Sequence, residues 1–165
     1  MKKLATILML VAAILVGGMT ADAKTTKKKT AKTSSTAVAK AQLLDNNVCS
    51  YFTFSSKGTY SWGDNGGCDS GPYMVDGDAY ILASGRQGVY VLVNNGMYHI
   101  TYDVPGADPL IDWLASNGYG LTQSKMKQIF SFDKGNLTLR YNVDGQSRSV
   151  KLSGADYDAI KWVKK

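Results

Sequence analysis

The sequence of 165 residues contains no glutamate, a single histidine (His99), two cysteines (Cys49 and Cys68) and three prolines. One histidine excludes the multi-histidine zinc sites of hydrolases. The sequence also lacks Cys-x-x-Cys, His-Glu-x-x-His and Gly-Lys motifs, which excludes zinc ribbons, zincin proteases and P-loop nucleotide binding. We therefore expect neither a metal site nor a cofactor.

The net charge of +6 is unevenly distributed along the chain. Residues 1–40 hold eight lysines and one aspartate, whereas residues 41–165 hold eleven Lys and Arg against twelve Asp, a formal charge of −1. Binding to nucleic acid requires clustered cations on the folded surface. The basic character belongs to the N-terminal region, so we expect no nucleic-acid partner.

Residues 1–23 have the pattern of a secretory signal peptide. Two lysines follow Met1, an apolar run covers 4–16, and Ala21-Asp22-Ala23 supplies small residues for cleavage before Lys24. The run of about 13 residues is shorter than the roughly 20 that span a bilayer. We therefore expect cleavage rather than a transmembrane anchor, and a bacterial protein that is periplasmic or secreted.

Residues 24–40 contain only Lys, Thr, Ser and Ala apart from one valine. Such a composition buries too little apolar surface to offset the entropy of ordering, and it predicts a disordered basic linker. The alternative is a tether to anionic polymers or lipid headgroups at the cell surface. The remaining residues, 41–165, have the usual length of one globular domain.

Strand patterns dominate residues 41–165 and predict an α+β domain, mainly one antiparallel sheet of hairpins with two or three short helices. The segments 48–54 and 59–62 predict a first hairpin, and the segments 79–83, 89–93 and 97–104 predict a meander. A third hairpin turns at Asp144-Gly145, with Val150 expected opposite Leu139.

A two-residue turn at Asn95-Gly96 sets the expected register of the meander. It places Val93 opposite Tyr98, and we expect Tyr80 and Leu82 on the same face as these two residues. That face is apolar throughout, so we expect it to form the core.

Helices are predicted from their ends. Asp108 as N-cap, Pro109 in the first turn and Gly118 at the end define one helix. Ser153 and Asp156 resemble a capping box and predict a C-terminal helix. The stripe of Tyr157, Ile160 and Val163 would pack that helix on the sheet. The segment 121–130 is ambiguous between helix and strand.

The two cysteines are expected to form a structural disulfide, because an even number of cysteines in an exported chain favours oxidation. Cys49 opens the first hairpin and Cys68 follows its second strand. Closing this loop of about 20 residues would contribute about 3 kcal/mol.

The alternative use of Cys49 is catalytic, as the nucleophile of a small cysteine hydrolase with His99 as its base. A reactive thiolate is commonly stabilised at a helix N-terminus. The residues after Cys49 read as a strand, which disfavours this alternative, and we expect the chain not to be an enzyme.

Aromatic residues supply the main signal for binding. Tyr60, Trp62 and Tyr73 surround the polar segment 63–73, which also contains Asp64 and Asp69. Exposed aromatics among polar residues are typical of recognition surfaces, although a tyrosine-rich core is the simpler explanation.

The function expected from these observations is that of an exported bacterial binding domain without catalytic activity. Two kinds of partner fit: a protein that the domain inhibits, as an inhibitor or immunity-type factor does, or a glycan of the cell surface. The sequence leaves the identity of the partner and the oligomeric state open.

Overall fold

Antiparallel strands form most of the structure, a computed structural model that describes residues 37–44, 50–64, 67–84 and 88–163. These residues belong to one compact unit, Ser34–Lys165. The strands are β1 (Ala37–Leu43), β2 (Tyr51–Ser55), β3 (Thr59–Asp64), β4 (Gly67–Asp76), β5 (Ala79–Ser84), β6 (Gly88–Val93), β7 (Gly96–Ile100), β8 (Phe130–Asp133), β9 (Thr138–Val143), β10 (Gln146–Lys151) and β11 (Tyr157–Trp162). The helices are α1 (Asp108–Asn117) and α2 (Gln123–Ile129).

Eight of these strands close into a barrel in the order β1-β11-β7-β6-β5-β4-β3-β2, with β2 pairing back to β1. Two strands form its corners. β4 pairs with β3 through 67–72 and with β5 through Tyr73–Asp76. β11 pairs with β7 through 157–159 and with β1 through 160–162. The barrel is therefore two sheets joined by two shared strands, an arrangement in which strands change sheet at the corners.

Side chains alternate between the two faces of each barrel strand, and in β5, β6 and β7 the two faces belong to two separate cores. The buried residues of the barrel interior are Ala41, Phe52, Phe54, Tyr60, Tyr73, Leu82, Leu92, Met97 and Ile160. The outer face of β5, β6 and β7 carries a second set, including Ile81, Val91 and Ile100, which packs against α1 and the small sheet. One half of the barrel is thus covered and the other half is exposed.

The small sheet has three strands in the order β10-β9-β8. Val150 pairs with Leu139, and the turn at Asp144-Gly145 has positive φ at both residues, 50° and 72°. This confirms the third predicted hairpin, in which both turn residues must adopt positive φ. The backbone N–H of Phe132 donates to Asp76 Oδ2 at 2.5 Å, which ties β8 to the barrel.

The predicted C-terminal helix is wrong, because residues 157–162 form the strand β11. Ile160 and Trp162 alternate with outward residues at the period of a strand, and β11 supplies hydrogen bonds to the edges of both β1 and β7. Satisfying two open edges outweighs local helix preference. The Ser153 hydroxyl does donate to the Asp156 carboxylate at 2.8 Å, but around a single 3-10 turn.

The meander forms as predicted, but two details of its register are wrong. The turn lies at Asn94-Asn95, with Asn94 at φ 56°, so Val91 rather than Val93 pairs with Tyr98. Tyr80 and Leu82 face the barrel interior, not the face of Val91. Because side chains alternate, a shift of one residue in the connection between β5 and β6 exchanges the faces of a strand.

Other expectations hold with shifted boundaries. The helix predicted at Asp108 is α1, capped by Ala107 without a side-chain bond, and the ambiguous segment 121–130 divides into α2 and the start of β8. The segment 63–73 is not a loop, because β3 and β4 extend through most of it. Residues 37–40, expected in the linker, belong to β1.

Residues 1–36 lie outside the described residues, so the signal peptide and the rest of the linker stay predictions. In the part of the chain that the structure describes, no helix is long and apolar enough to cross a membrane.

Candidate functional site

The barrel interior is lined by aromatic rings that meet across the strands. The ring of Phe54 lies 5.0 Å from that of Tyr73, 4.4 Å from that of Tyr80 and 6.2 Å from that of Trp162, measured between centroids. Tyr80 and Trp162 are 5.1 Å apart. Phe54 and Tyr73 are buried, whereas Tyr80 and Trp162 are partly exposed. The aromatic interior therefore continues to an aromatic surface at one mouth of the barrel.

The opposite mouth, where β2 begins and β7 ends, contains His99; we call it the His99 end. The ring of Tyr90 stacks on the His99 imidazole at 4.2 Å with an angle of 11°. The Phe52 ring lies 5.8 Å from Trp62 and 6.2 Å from Tyr60. This end is therefore a packed cluster of aromatic rings with polar tips.

Asp69 joins this cluster from β4, where it pairs with Trp62 of β3. Burial raises the pKa of Tyr60 to about 12, and the charges of Asp69 and Tyr90 add to the effect. Burial, followed by Asp69, also raises the pKa of Tyr90. Both phenols are therefore neutral near pH 7 and are suited to hydrogen bonding rather than to proton abstraction.

The structure brings together three of the residues predicted for binding, but not as an exposed loop. Tyr60 is only 5% exposed, Trp62 is partly buried and Asp69 is exposed. Tyr73, also 5% exposed, lies apart from them and its hydroxyl donates to the Ser55 carbonyl at 2.8 Å. Asp64 lies at the end of β3, and its side chain is outside the described set. Both tyrosines are thus part of the core rather than of an exposed binding surface.

The mouth at the other end of the barrel opens into a cavity of about 310 Å³, which we call the mouth pocket. Its lining residues are Val75, Gly77, Asp78, Tyr80, Asn94, Lys134 and Trp162. Tyr80 and Trp162 provide two partly exposed aromatic rings inclined at 40° to each other. The pocket therefore combines an aromatic surface with amide, carboxylate and ammonium groups.

Hydrogen bonds fix the geometry of the mouth pocket. The indole Nε1–H of Trp162 donates to the Asn94 carbonyl at 2.6 Å, so the ring plane is held against the β6–β7 turn. Lys134 Nζ lies 2.5 Å from Asp78 Oδ2 at the rim. The hydrogen bond and the charge of Lys134 lower the pKa of the Asp78 carboxyl, so this group is ionised near neutral pH.

The mouth pocket is not predictable from local sequence patterns, because its residues are far apart in the chain. The sequence pattern predicts a C-terminal helix at Trp162 and places Tyr80 on the face of the meander that packs in the other core. The alternation of Ile160 and Trp162 with the exposed Lys161 is a strand signal that competes with the helical stripe.

The predicted disulfide is outside what the structure tests, since Cys49 is not among the described residues and the side chain of Cys68 is not described. Cys68 pairs with Gly63, and β3 separates β4 from β2. Two strand spacings amount to about 10 Å, whereas a disulfide needs Cα atoms within about 7 Å. The bridge therefore requires the chain before Ser50 to approach β4 across the end of β3.

Intact mass measurement of the protein recovered from the cell envelope and the medium tests this bridge and the cleavage site together. We expect a chain that begins at Lys24, is two hydrogens lighter than its reduced form, and takes up no alkylating reagent before reduction. Alkylation of both thiols without reduction would contradict the bridge. That result would make Cys49 and His99, which lies at the end of the barrel where β2 begins, the next pair to test.

Comparisons with protein-family models, with curated proteins and with solved structures found no match for this chain. Within the described residues, no group of three or more His, Cys, Asp or Glu side chains is placed to hold a metal ion.

Proposed function

We propose that this chain is an exported, non-catalytic glycan-binding protein and that the mouth pocket binds the sugar. The observation that carries the proposal is the pair of partly exposed rings, Tyr80 and Trp162, 5.1 Å apart and surrounded by Asn94, Asp78 and Lys134. Sugars present a C–H face that packs on aromatic rings and hydroxyls that need hydrogen-bonding partners. The mouth pocket offers both.

The size of the pocket favours a glycan over a protein partner. A cavity of about 310 Å³ is at the lower end of the range for small-molecule sites, whereas a protein interface is an extended surface of about 800 Å² per partner and does not require a pocket. The inhibitor hypothesis predicts hot spots at Tyr60 or Trp62, but Tyr60 is buried in the barrel. We therefore favour the glycan of the two expected partners.

The electrostatics of the pocket support binding without hydrolysis. Glycoside hydrolysis uses two carboxyl groups, one with a raised pKa that serves as general acid. The lining of the mouth pocket contains one carboxyl, Asp78, and its pKa is lowered by Lys134. The pocket is thus suited to hold a sugar and not to protonate its leaving group.

Glycan retention tests the proposal. We expect the protein to be retained by insoluble cell-wall glycans or slowed in gels that contain soluble polysaccharide, and we expect Trp162→Ala to weaken binding at least about tenfold, as for an aromatic hot spot. Tyr102→Ala is the matched control, because Tyr102 is an aromatic residue that is 56% exposed and lies outside the pocket.

Trp162→Ala also removes a packing contact with Phe54, so its thermal unfolding is measured in parallel. Lys134→Ala provides a second variant at an exposed rim position, and it is expected to weaken binding without loss of fold. Retention of no glycan by the wild-type protein, or equal retention by the Trp162→Ala and Tyr102→Ala proteins, would contradict the proposal.

A further inference from the structure

The positive charge of the folded domain is concentrated in one part of the chain. Residues 123–151, which form α2 and the small sheet, hold six Lys and Arg and two Asp, a formal charge of +4. The remainder of 41–165 holds five Lys and Arg and ten Asp, a formal charge of −5. A nearly neutral domain is thus divided into a basic segment and an acidic remainder.

A groove of about 460 Å³ crosses the basic segment from the end of α2 over all three strands of the small sheet. Its lining includes Lys127, Arg140 and Arg148 and no acidic residue. The neutral polar residues of the lining are Gln128, Ser131, Asn142, Ser147 and Ser149. The groove therefore presents cations together with hydroxyl and amide donors.

Arg140 occupies the centre of this groove. In the register of the sheet it lies between Ser131 of β8 and Ser149 of β10, with about 4.8 Å between adjacent strands. Asp133 Oδ2 accepts from Arg140 Nη2 at 3.4 Å, and both side chains are partly exposed. A guanidinium has five N–H donors, so this single long contact is compatible with a second, bidentate anion.

We propose that the groove binds the acidic groups of a polysaccharide, and that Arg140 is their principal ligand. Carboxylate and sulfate groups on sugars each present two oxygens that can accept two parallel N–H hydrogen bonds from one guanidinium. The flanking hydroxyl and amide side chains suit the neutral hydroxyls between such groups. The charge and the composition of the groove thus match an acidic glycan.

A nucleic acid fits the groove less well. Single-stranded nucleic acids bind through exposed aromatic rings that stack on bases, and the two aromatic residues that line this groove, Phe130 and Tyr141, are buried.

The inference deepens the proposed function and rests on it in one respect, namely that the ligand is a glycan. Ser131 lines the groove and Lys134 lines the mouth pocket. Three residues of extended chain span about 10 Å. An oligosaccharide of a few units that occupies the mouth pocket can therefore place an acidic group in the groove.

The test measures the affinity of the full protein for polygalacturonate, dextran sulfate and neutral dextran at low and at high salt. We expect the two charged polymers to bind more tightly than dextran, and the difference to shrink at high salt because exposed charges are screened. We expect Arg140→Gln to weaken binding of the charged polymers about tenfold, as for loss of a charge-assisted bidentate contact.

Lys57→Gln is the matched control, because Lys57 is an exposed cation in the β2–β3 turn and its loss changes the net charge equally. Equal weakening by Arg140→Gln and Lys57→Gln would overturn the groove as a specific site, as would tighter binding of single-stranded DNA than of either charged polymer. Trp162→Ala separates the two proposals. If the mouth pocket does not bind sugar, Trp162→Ala binds neutral dextran as the wild-type protein does. This result does not depend on how Arg140→Gln changes the binding of the charged polymers.

Discussion

Replacing Gly88 by alanine is expected to lower the free energy of unfolding by about 3–5 kcal/mol, because strain and overpacking add at this position. Gly88 opens β6 at φ +99°, a conformation that residues with a Cβ rarely adopt. A Cβ there would lie 2.0 Å from the Ile100 carbonyl oxygen and 2.5 Å from Ile111 Cδ1. The backbone of β7 would have to move, and the Ile111 side chain of α1 would have to rotate away.

Gly77→Ala separates the two contributions in the same protein. Gly77 also has positive φ, +59°, but a Cβ there meets nothing within 4 Å. We expect this variant to lose about 1–2 kcal/mol, the cost of the left-handed conformation alone. Denaturant unfolding of both variants gives the comparison, and equal losses would show that β6, β7 and α1 do not approach as the structure has them.

Phe54→Ala is expected to lower the free energy of unfolding by about 3–5 kcal/mol, the usual cost of emptying a large buried aromatic site. The Phe54 side chain is fully buried and contacts Tyr73, Tyr80 and Trp162. Its removal would leave a cavity at the centre of the barrel interior, which close-packed neighbours refill only in part.

Tyr51→Ala is the control from the same strand. Tyr51 is 36% exposed on the outer face of β2, where Lys40 Nζ lies 3.7 Å from its ring centroid. We expect a loss of about 1 kcal/mol or less, as for an exposed cation–π contact. A larger loss for Tyr51→Ala than for Phe54→Ala, measured by denaturant unfolding, would mean that the faces of β2 are assigned the wrong way round.

Local signals in the sequence were sufficient for the elements that depend on local interactions. The hairpin at Asp144-Gly145 has both its turn and its register as expected, since its two turn residues and its alternation act within a few positions. Helix α1 ends before Gly118 as predicted, and it begins one residue earlier than predicted, with Ala107 rather than Asp108 as its N-cap. Such elements need little information from the rest of the chain.

Barrel closure could not be predicted in this way, because it depends on pairing between the two ends of the domain. β11 pairs with β1 although more than a hundred residues separate them, and a short amphipathic segment such as 157–162 is compatible with helix or strand until its neighbours are known. The length of the connection between β5 and β6 decides whether Tyr80 and Leu82 lie on the same face of the sheet as Val91 or on the opposite face, and the sequence pattern does not give this length.

The candidate site was harder to predict than the fold for the same reason. Tyr60, Trp62 and Asp69 do come together, because a single hairpin joins them. Tyr80 and Trp162 meet only because the closed barrel brings β5 and β11 to one mouth. A binding site built from distant strands leaves no motif in the sequence.

The central claim is that a sugar binds at the mouth pocket, and the indole N–H signals of the three tryptophans test it most directly. Trp162 lies in the mouth pocket, Trp62 at the His99 end and Trp113 on α1. The signals are assigned with a Trp162→Phe variant and followed in an NMR titration with an oligosaccharide that the protein retains. We predict that the Trp162 signal shifts most, because the hydrogen bond from its indole N–H to the Asn94 carbonyl lies at the site. Saturable binding that leaves the Trp162 signal unchanged and moves that of Trp62 or Trp113 would contradict the claim.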